Sequence, residues 1–300
     1  ISMSESKGKG FTNFDFRTLS TIQRLFLIEF ATRNSQEVMG GITKTVYYGK
    51  NDCLSLYSAN QTNKIIITQD WQSDKFRVGQ RCSVSSEQEY QDRHITAIND
   101  LPNNEREIVF DGTPVDIIAG QTYICNIPQE NGDTGCIVYS SGRKSGDSDK
   151  VAFTYRGIEN IYGNIHEIIA GAYTKNGVVY LIENMSDYNI SDVELIERKL
   201  AFKMPDIPYT PEYNATTPYI KSMGYDPLNP LVMLPIEAGT STVGQDYWCD
   251  EINAPIADEV NYCAFGGGWD HYERSVLFNY RFMPIGGWLR GSRLLFKPIA

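Results

Sequence analysis

Three consecutive glycines, Gly266, Gly267 and Gly268, run directly into Trp269, and a second tryptophan, Trp288, precedes Gly291-Ser292-Arg293 and the apolar end Leu294-Leu295-Phe296. Glycine backbone can adopt positive φ or approach another group closely, while two indoles are large enough to organise a local core. Segment 264–296 is therefore the stretch around which the chain has to be built. Between its tryptophans lie Asp270, His271, Tyr272, Glu273, Arg274, Asn279, Tyr280, Arg281 and Phe282, with no helix or strand period. Aromatic rings, arginines and varied hydrogen-bonding groups are the vocabulary of a contact surface.

The rest of the composition bounds what such a surface can meet. Hydrophobic residues at 41% and charged residues at 21% exclude wholesale disorder. A formal net charge of −10 argues against a nucleic-acid partner, since phosphate binding needs clustered Lys and Arg. No apolar run reaches the roughly 18 residues of a bilayer-spanning helix, so no membrane insertion is expected. No secretory signal peptide is visible, and the opening Ile1-Ser2-Met3, which is not a Met start, reads as an engineered start or as the tail of a longer polypeptide. Cys53, Cys82, Cys125, Cys136, Cys249 and Cys263 are scattered, without Cys-x-x-Cys or zinc spacing. They read as buried thiols rather than a disulfide frame.

Residues 1–13, rich in Ser, Lys and Gly, read as a linker. Asp15 is a helix N-cap with Phe14 and Leu19 at staple positions. Leu19, Ile22, Phe26 and Phe30 then predict a helix over roughly 16–37, apolar nearly all round, buried, and ended by Gly40-Gly41. From Thr43 the texture changes to short strand-like runs: 45–48, 64–68, 94–98, 107–110 and 122–125. Val78-Gly79, Asp111-Gly112 and Ala119-Gly120 punctuate them. Residues 60–135 are thus expected to form a small β-barrel or curled sheet, with His94 on a strand face.

Beyond a polar loop at 140–150, Gly157, Gly163 and Gly171 punctuate an Ile-rich stretch. His166-Glu167 does not begin a His-Glu-x-x-His zinc motif, because Ala170 stands at the second His position, so Glu167 reads as a structural capping or pairing group. Asn176-Gly177 predicts a hairpin turn. Asn184, Asp187, Asn189 and Asp192 carry oxygen donors suited to calcium, but without EF-hand spacing they read as a solvated loop, and no cofactor is assigned. Residues 204–230 hold six of the 13 prolines and read as a long ordered loop. Leu231–Pro235 reads as a buried strand.

Tyr155-Arg-Gly-Ile-Glu-Asn160, Gly163-Asn-Ile-His-Glu167, Asp246-Tyr-Trp248, Phe265-Gly-Gly-Gly-Trp269 and Gly291-Ser-Arg-Leu-Leu-Phe296 together resemble the C-type-lectin-type fold. That fold is shared by formylglycine-generating enzymes and by the variable proteins of diversity-generating retroelements. The apolar first helix and Asn34-Ser35-Gln36 are similar to those of phage tail and receptor-binding proteins. His166 and Ile168 depart from the pattern, which more often flanks the Glu with aromatic residues. The resemblance implies an α+β fold: a C-type-lectin-like ligand-binding domain over 14–59 and 136–300, with 60–135 as an inserted β-subdomain.

In such relatives the residues between the Gly-Gly-x-Trp and the final Gly-x-Arg-Leu form a ligand surface that adenine-directed mutagenesis diversifies. Carried onto this chain, the ligand-binding candidates are Trp269, Asp270, His271, Tyr272, Arg274, Asn279, Tyr280, Phe282, Ile285, Leu289 and Arg290. A core role for Tyr272, Phe278 and Phe282 is the competing reading. The implied protein is a receptor-binding module on a virion tail or other host-facing surface. Its implied partners are a host-surface protein or glycan, further copies in a homotrimer, and an upstream stalk or tail protein. No catalytic constellation is evident, since no motif orders the Ser, His and Asp residues. An oxidase of the formylglycine-generating type would need convergent thiolates for a soft metal, whereas Cys249 and Cys263 are well separated and no cysteine follows Trp269. A structural tail or decoration protein is the remaining alternative, and it predicts that 270–290 is buried against a neighbouring subunit.

Overall fold

The computed structural model describes residues 7, 11–39, 53–71, 73–86, 91–127, 132–143, 152–175, 178–182, 197–203, 219–225, 230–239, 248, 252–253, 260–268, 277–278, 280–283, 290–291 and 293–296. Their contacts divide the chain into two units. The first comprises Ile1–Val38, Ile161–Gly268 and Glu273–Ala300; the second comprises Met39–Asn160 and Trp269–Tyr272. Strands make up 47% of the described residues, with two short α-helices, so the fold is β-rich and the expected α+β lectin-like class is overturned. The reason is local. Stretches read as linker, loop or aperiodic segment contain strands, some paired with the next strand and some with the far end of the chain.

In the first unit, α1 (Phe16–Phe30) starts where the sequence signals it. Asp15 is extended at φ −109°, and its Oδ1 accepts from the Thr18 N–H at 2.8 Å, satisfying one of the helix's orphan donors. The helix ends earlier than expected. Ala31 adopts the left-handed conformation at φ 51°, its N–H bonding to the Leu27 carbonyl at 3.0 Å, and α2 (Ser35–Met39) then follows separately. Nor is α1 buried all round. Phe16, Leu19, Ile22 and Phe26 face the core, but Ile28 is 80% exposed, so the helix is amphipathic.

That buried face meets a mixed sheet in the order Glu197–Lys203, Val178–Ile182, His166–Lys175, Asn261–Phe265, Tyr280–Met283, Ile252–Asn253. The central strand His166–Lys175 is almost wholly buried. Its second half pairs with Val178–Ile182 through Lys175 opposite Val178, the register of a two-residue connection. Its first half pairs instead with Arg290–Gly291, in parallel. Between the halves, Gly171 at φ 90° sits where the register against Asn261–Phe265 shifts, a bulge for which a side chain would be strained.

Three further readings are corrected here. Phe11–Asn13, within the expected linker, pairs with Leu294–Phe296. Tyr219–Tyr225, within the expected long loop, pairs with Met233–Gly239, and that second strand begins two residues after the exposed Leu231. One of its two register shifts falls between Glu237 and Pro235, which has no N–H to give to the ladder. Tyr280–Met283 is a strand in a segment that shows no period.

The second unit holds a five-stranded antiparallel sheet ordered Lys64–Thr68, Glu105–Phe110, Arg93–Leu101, Arg81–Ser85, Tyr123–Asn126. Segment 53–56 links its two edges. Ser55 N–H bonds to the Thr122 carbonyl and Ile124 N–H to the Cys53 carbonyl on one side, while Leu56 N–H bonds to the Ile66 carbonyl on the other. The sheet thereby curls toward closure around Ile65, Ile67, Phe76, Val84, Ile95, Ile108, Phe110 and Ile124. His94 lies exposed on its strand, with Asp111 beside it. Glu105–Phe110 alternates half-buried and buried positions, which places Arg106 on the inward face with Ile108 and Phe110.

The thiols follow from the same alternation. Cys82 faces Asn126 and Cys125 faces Ser83 in the antiparallel register, so the two sulfurs point to opposite sides of the sheet and both cysteines are free. Burial pushes each thiol up to about 12, and Cys263 well above its ordinary value. Only thiolates alkylate readily. Iodoacetamide at pH 8 should therefore leave Cys82, Cys125 and Cys263 unmodified in the native protein and label them in denaturant. Mass spectrometry showing rapid native labelling at these three would contradict their placement.

Candidate binding face

Segment 264–296 enters from the strand Asn261–Phe265. Phe265 is buried and its ring stacks 5.8 Å from Phe14, and Gly266 and Gly267 then take positive φ. At Gly266 the requirement is spatial as well. A Cβ there would lie 3.2 Å from the Tyr162 Cα, and the Gly266 carbonyl accepts from the Gly163 N–H at 2.9 Å. The glycine run is thus a close backbone approach, one of the two uses that its composition implies.

The chain is caught again at Leu277 and Phe278, both buried. Leu277 N–H donates to Ser35 Oγ at 3.0 Å, and its carbonyl accepts from Gln23 Nε2 at 2.9 Å. Tyr280–Met283 then runs antiparallel to Asn261–Phe265, with Tyr280 opposite Phe265 and Phe282 opposite Cys263. Arg290 lies opposite His166 in the parallel pairing. Arg293 follows, its carbonyl accepting from the Phe14 N–H at 2.9 Å and its Nε donating to Glu167 Oε1.

Of the sequence-derived candidates, Trp269, Asp270, His271, Tyr272, Arg274, Asn279, Ile285 and Leu289 lie outside the described residues. Phe282 and Arg290 are placed by their backbones on strands of the sheet. Tyr280 is in the core. It is 0% exposed, its hydroxyl donates to Gln23 Oε1 at 2.7 Å, and its ring lies 6.1 Å from Phe16. It therefore supports the frame rather than contacting a ligand.

Two features escape sequence reasoning. One is the ion pair between Glu167 and Arg293. Glu167 is only 4% exposed, and burial pushes its carboxyl up to about 7, with the Arg293 guanidinium pulling the other way. The signal was partial: Glu167 read as a pairing group, but nothing nearby named its partner. The other is Trp248, half-buried, edge-on to Phe278 at 4.8 Å and with the Arg33 guanidinium 5.8 Å over its ring. A Trp–Arg pair beside Phe278 is the residue chemistry of an interface anchor.

Among the described residues no group of three His, Cys, Asp or Glu side chains converges on a point that could hold a metal ion, and none of the described helices is long and apolar enough to cross a membrane. Compared with protein-family models and with the curated proteins, the chain finds no match.

Proposed function

We propose that the chain is a non-catalytic binding protein whose segment 264–296 presents a receptor-binding face to a host-surface protein or glycan. The observation that carries this reading is how the segment is held. Positions 269–276 are bounded by Gly268 on one side and by the buried, hydrogen-bonded Leu277 on the other. Positions 284–289 are bounded by two strands of one sheet. Fixed points of this kind on either side of a segment are what recognition loops on a scaffold require. The residues between include Trp269, Asp270, His271, Tyr272 and Arg274, a set rich in interface-forming types. By the resemblance of its motifs the protein belongs on a virion tail or another host-facing surface, as a homotrimer joined to an upstream stalk.

The test is binding of the purified protein to a panel of bacterial cells and to arrayed cell-surface proteins and glycans. The triple variant H271A/Y272A/R274A should lose binding about a hundredfold, on the scale of two or more truncated anchors, with its unfolding midpoint unchanged. Undiminished binding by that variant would place the receptor contact elsewhere.

A further inference from the structure

Arg106 occupies a position of the second unit that the strand pattern reserves for apolar side chains, between the registers of Ile108 and Leu101. A guanidinium there has to be satisfied, and two carboxylates do it. Its Nε donates to Asp100 Oδ1 at 2.7 Å and its Nη1 to Asp74 Oδ1 at 2.6 Å. Its Nη2 makes no hydrogen bond among the described residues. Asp74 and Asp100 remain more than half exposed. The three groups line an open hollow of about 420 Å³, with Val78 and Ile98 as its accessible apolar lining, the buried Phe76 beneath, and Arg77 completing the lining. That volume falls in the usual range for small-molecule sites, about 300–1,000 Å³.

We propose that this cavity is a binding site for a neutral saccharide unit. Charge is the first argument. Asp74 and Asp100 are balanced by Arg77 and Arg106 in the lining, so the site has no net charge with which to attract an ion, and a neutral ligand suits it best. Geometry is the second. One buried guanidinium ties both carboxylates by one hydrogen bond each, so strong acceptors and an Nη2 donor share one lining with the apolar Val78 and Ile98. A sugar ring has the complementary faces: hydroxyls that both donate and accept, and a C–H face that packs on apolar side chains. Hydrogen bonds to charged groups are the strong class and favour such a polyol over a purely apolar guest.

The site lies wholly within the second unit and uses no residue of segment 264–296, so it stands or falls separately from the receptor-binding face. The test is saturation-transfer NMR and titration of the full chain with neutral hexoses and N-acetylhexosamines, with a uronic acid as the charged control. At least one neutral sugar should bind, and the uronic acid should bind no better. D100N keeps the shape and removes a charged acceptor, and V78R, at a 62% exposed position, fills the cavity from its rim. Each should weaken sugar binding about tenfold or more, the worth of one charge-assisted hydrogen bond. V78R should unfold near the parent's midpoint, and D100N, which leaves Arg106 with one carboxylate, is compared at equal folded fraction. H271A/Y272A/R274A should bind the sugars as the parent does. The proposal is overturned if no neutral sugar binds, if the uronic acid is preferred, or if binding survives both cavity variants.

Discussion

Replacing Arg293 by methionine is expected to destabilise the protein by about 3 kcal/mol at pH 8.5 and by about 1 kcal/mol at pH 5.5. The asymmetry comes from the group left behind. Glu167 is nearly inaccessible, its carboxyl is pushed up to about 7 by burial, and its Oε2 has no hydrogen bond among the described residues. An acid whose folded pKa is raised contributes stability that is present below its unfolded pKa of 4.5 and is lost as pH rises through about 7. Arg293 limits that loss by pairing with the ionised form. Without it the folded pKa rises further, so the variant goes on losing stability above pH 7 where the parent has levelled off. Below pH 6 Glu167 is protonated in both proteins, and the difference narrows to one neutral contact. E167Q removes the titration itself and should abolish about 3 kcal/mol of pH-dependent change between pH 4.5 and 7, the equivalent of the shift at about 1.4 kcal/mol per unit. Urea unfolding midpoints of the three proteins at pH 5.5, 7 and 8.5 decide the matter. A constant gap between parent and R293M at all three would show that Arg293 acts through packing alone.

The Glu167–Arg293 pair also marks the boundary of what the sequence can disclose. Its partners are 126 residues apart, and no local pattern links them. The start of α1 was legible because an N-cap acts within one turn, as the Asp15–Thr18 bond does. Its end was not, because Ala31 takes a left-handed conformation that its residue type does not announce, whereas Gly40-Gly41 advertises one. The strands of the second unit were legible where alternation runs for several residues between turn glycines, as in Glu105–Phe110 before Gly112. Phe11–Asn13, Tyr280–Met283 and Arg290–Gly291 were not, because they are too short to display a period and are extended only because of partners elsewhere in the chain. The α+β expectation failed on the sum of such strands. In the binding segment, composition identified aromatic and polar residues but could not sort those that face outward from those that hold the frame.

Tyr280 is the residue on which that sorting can be measured. Y280A should cost about 3–5 kcal/mol, the range for emptying a large buried aromatic site. The loss combines a cavity beside Phe16 with an orphaned Gln23 Oε1, and Gln23 in turn holds the Leu277 carbonyl. Y280F keeps the ring and removes only the hydroxyl. It should cost about 1–3 kcal/mol, the penalty for an unsatisfied buried acceptor. Urea denaturation gives both values. Receptor binding then separates the two roles that a tyrosine in this segment can play. A ligand-contacting tyrosine loses affinity in proportion to its own contacts and leaves stability alone, which is the behaviour expected of Y272A. A frame tyrosine does the reverse, so Y280F, normalised to its folded fraction, should bind as the parent does. A Y280F protein of parental stability with weakened binding would return Tyr280 to the contact surface, and the close hydrogen bond to Gln23 would have to be broken in the receptor-bound state.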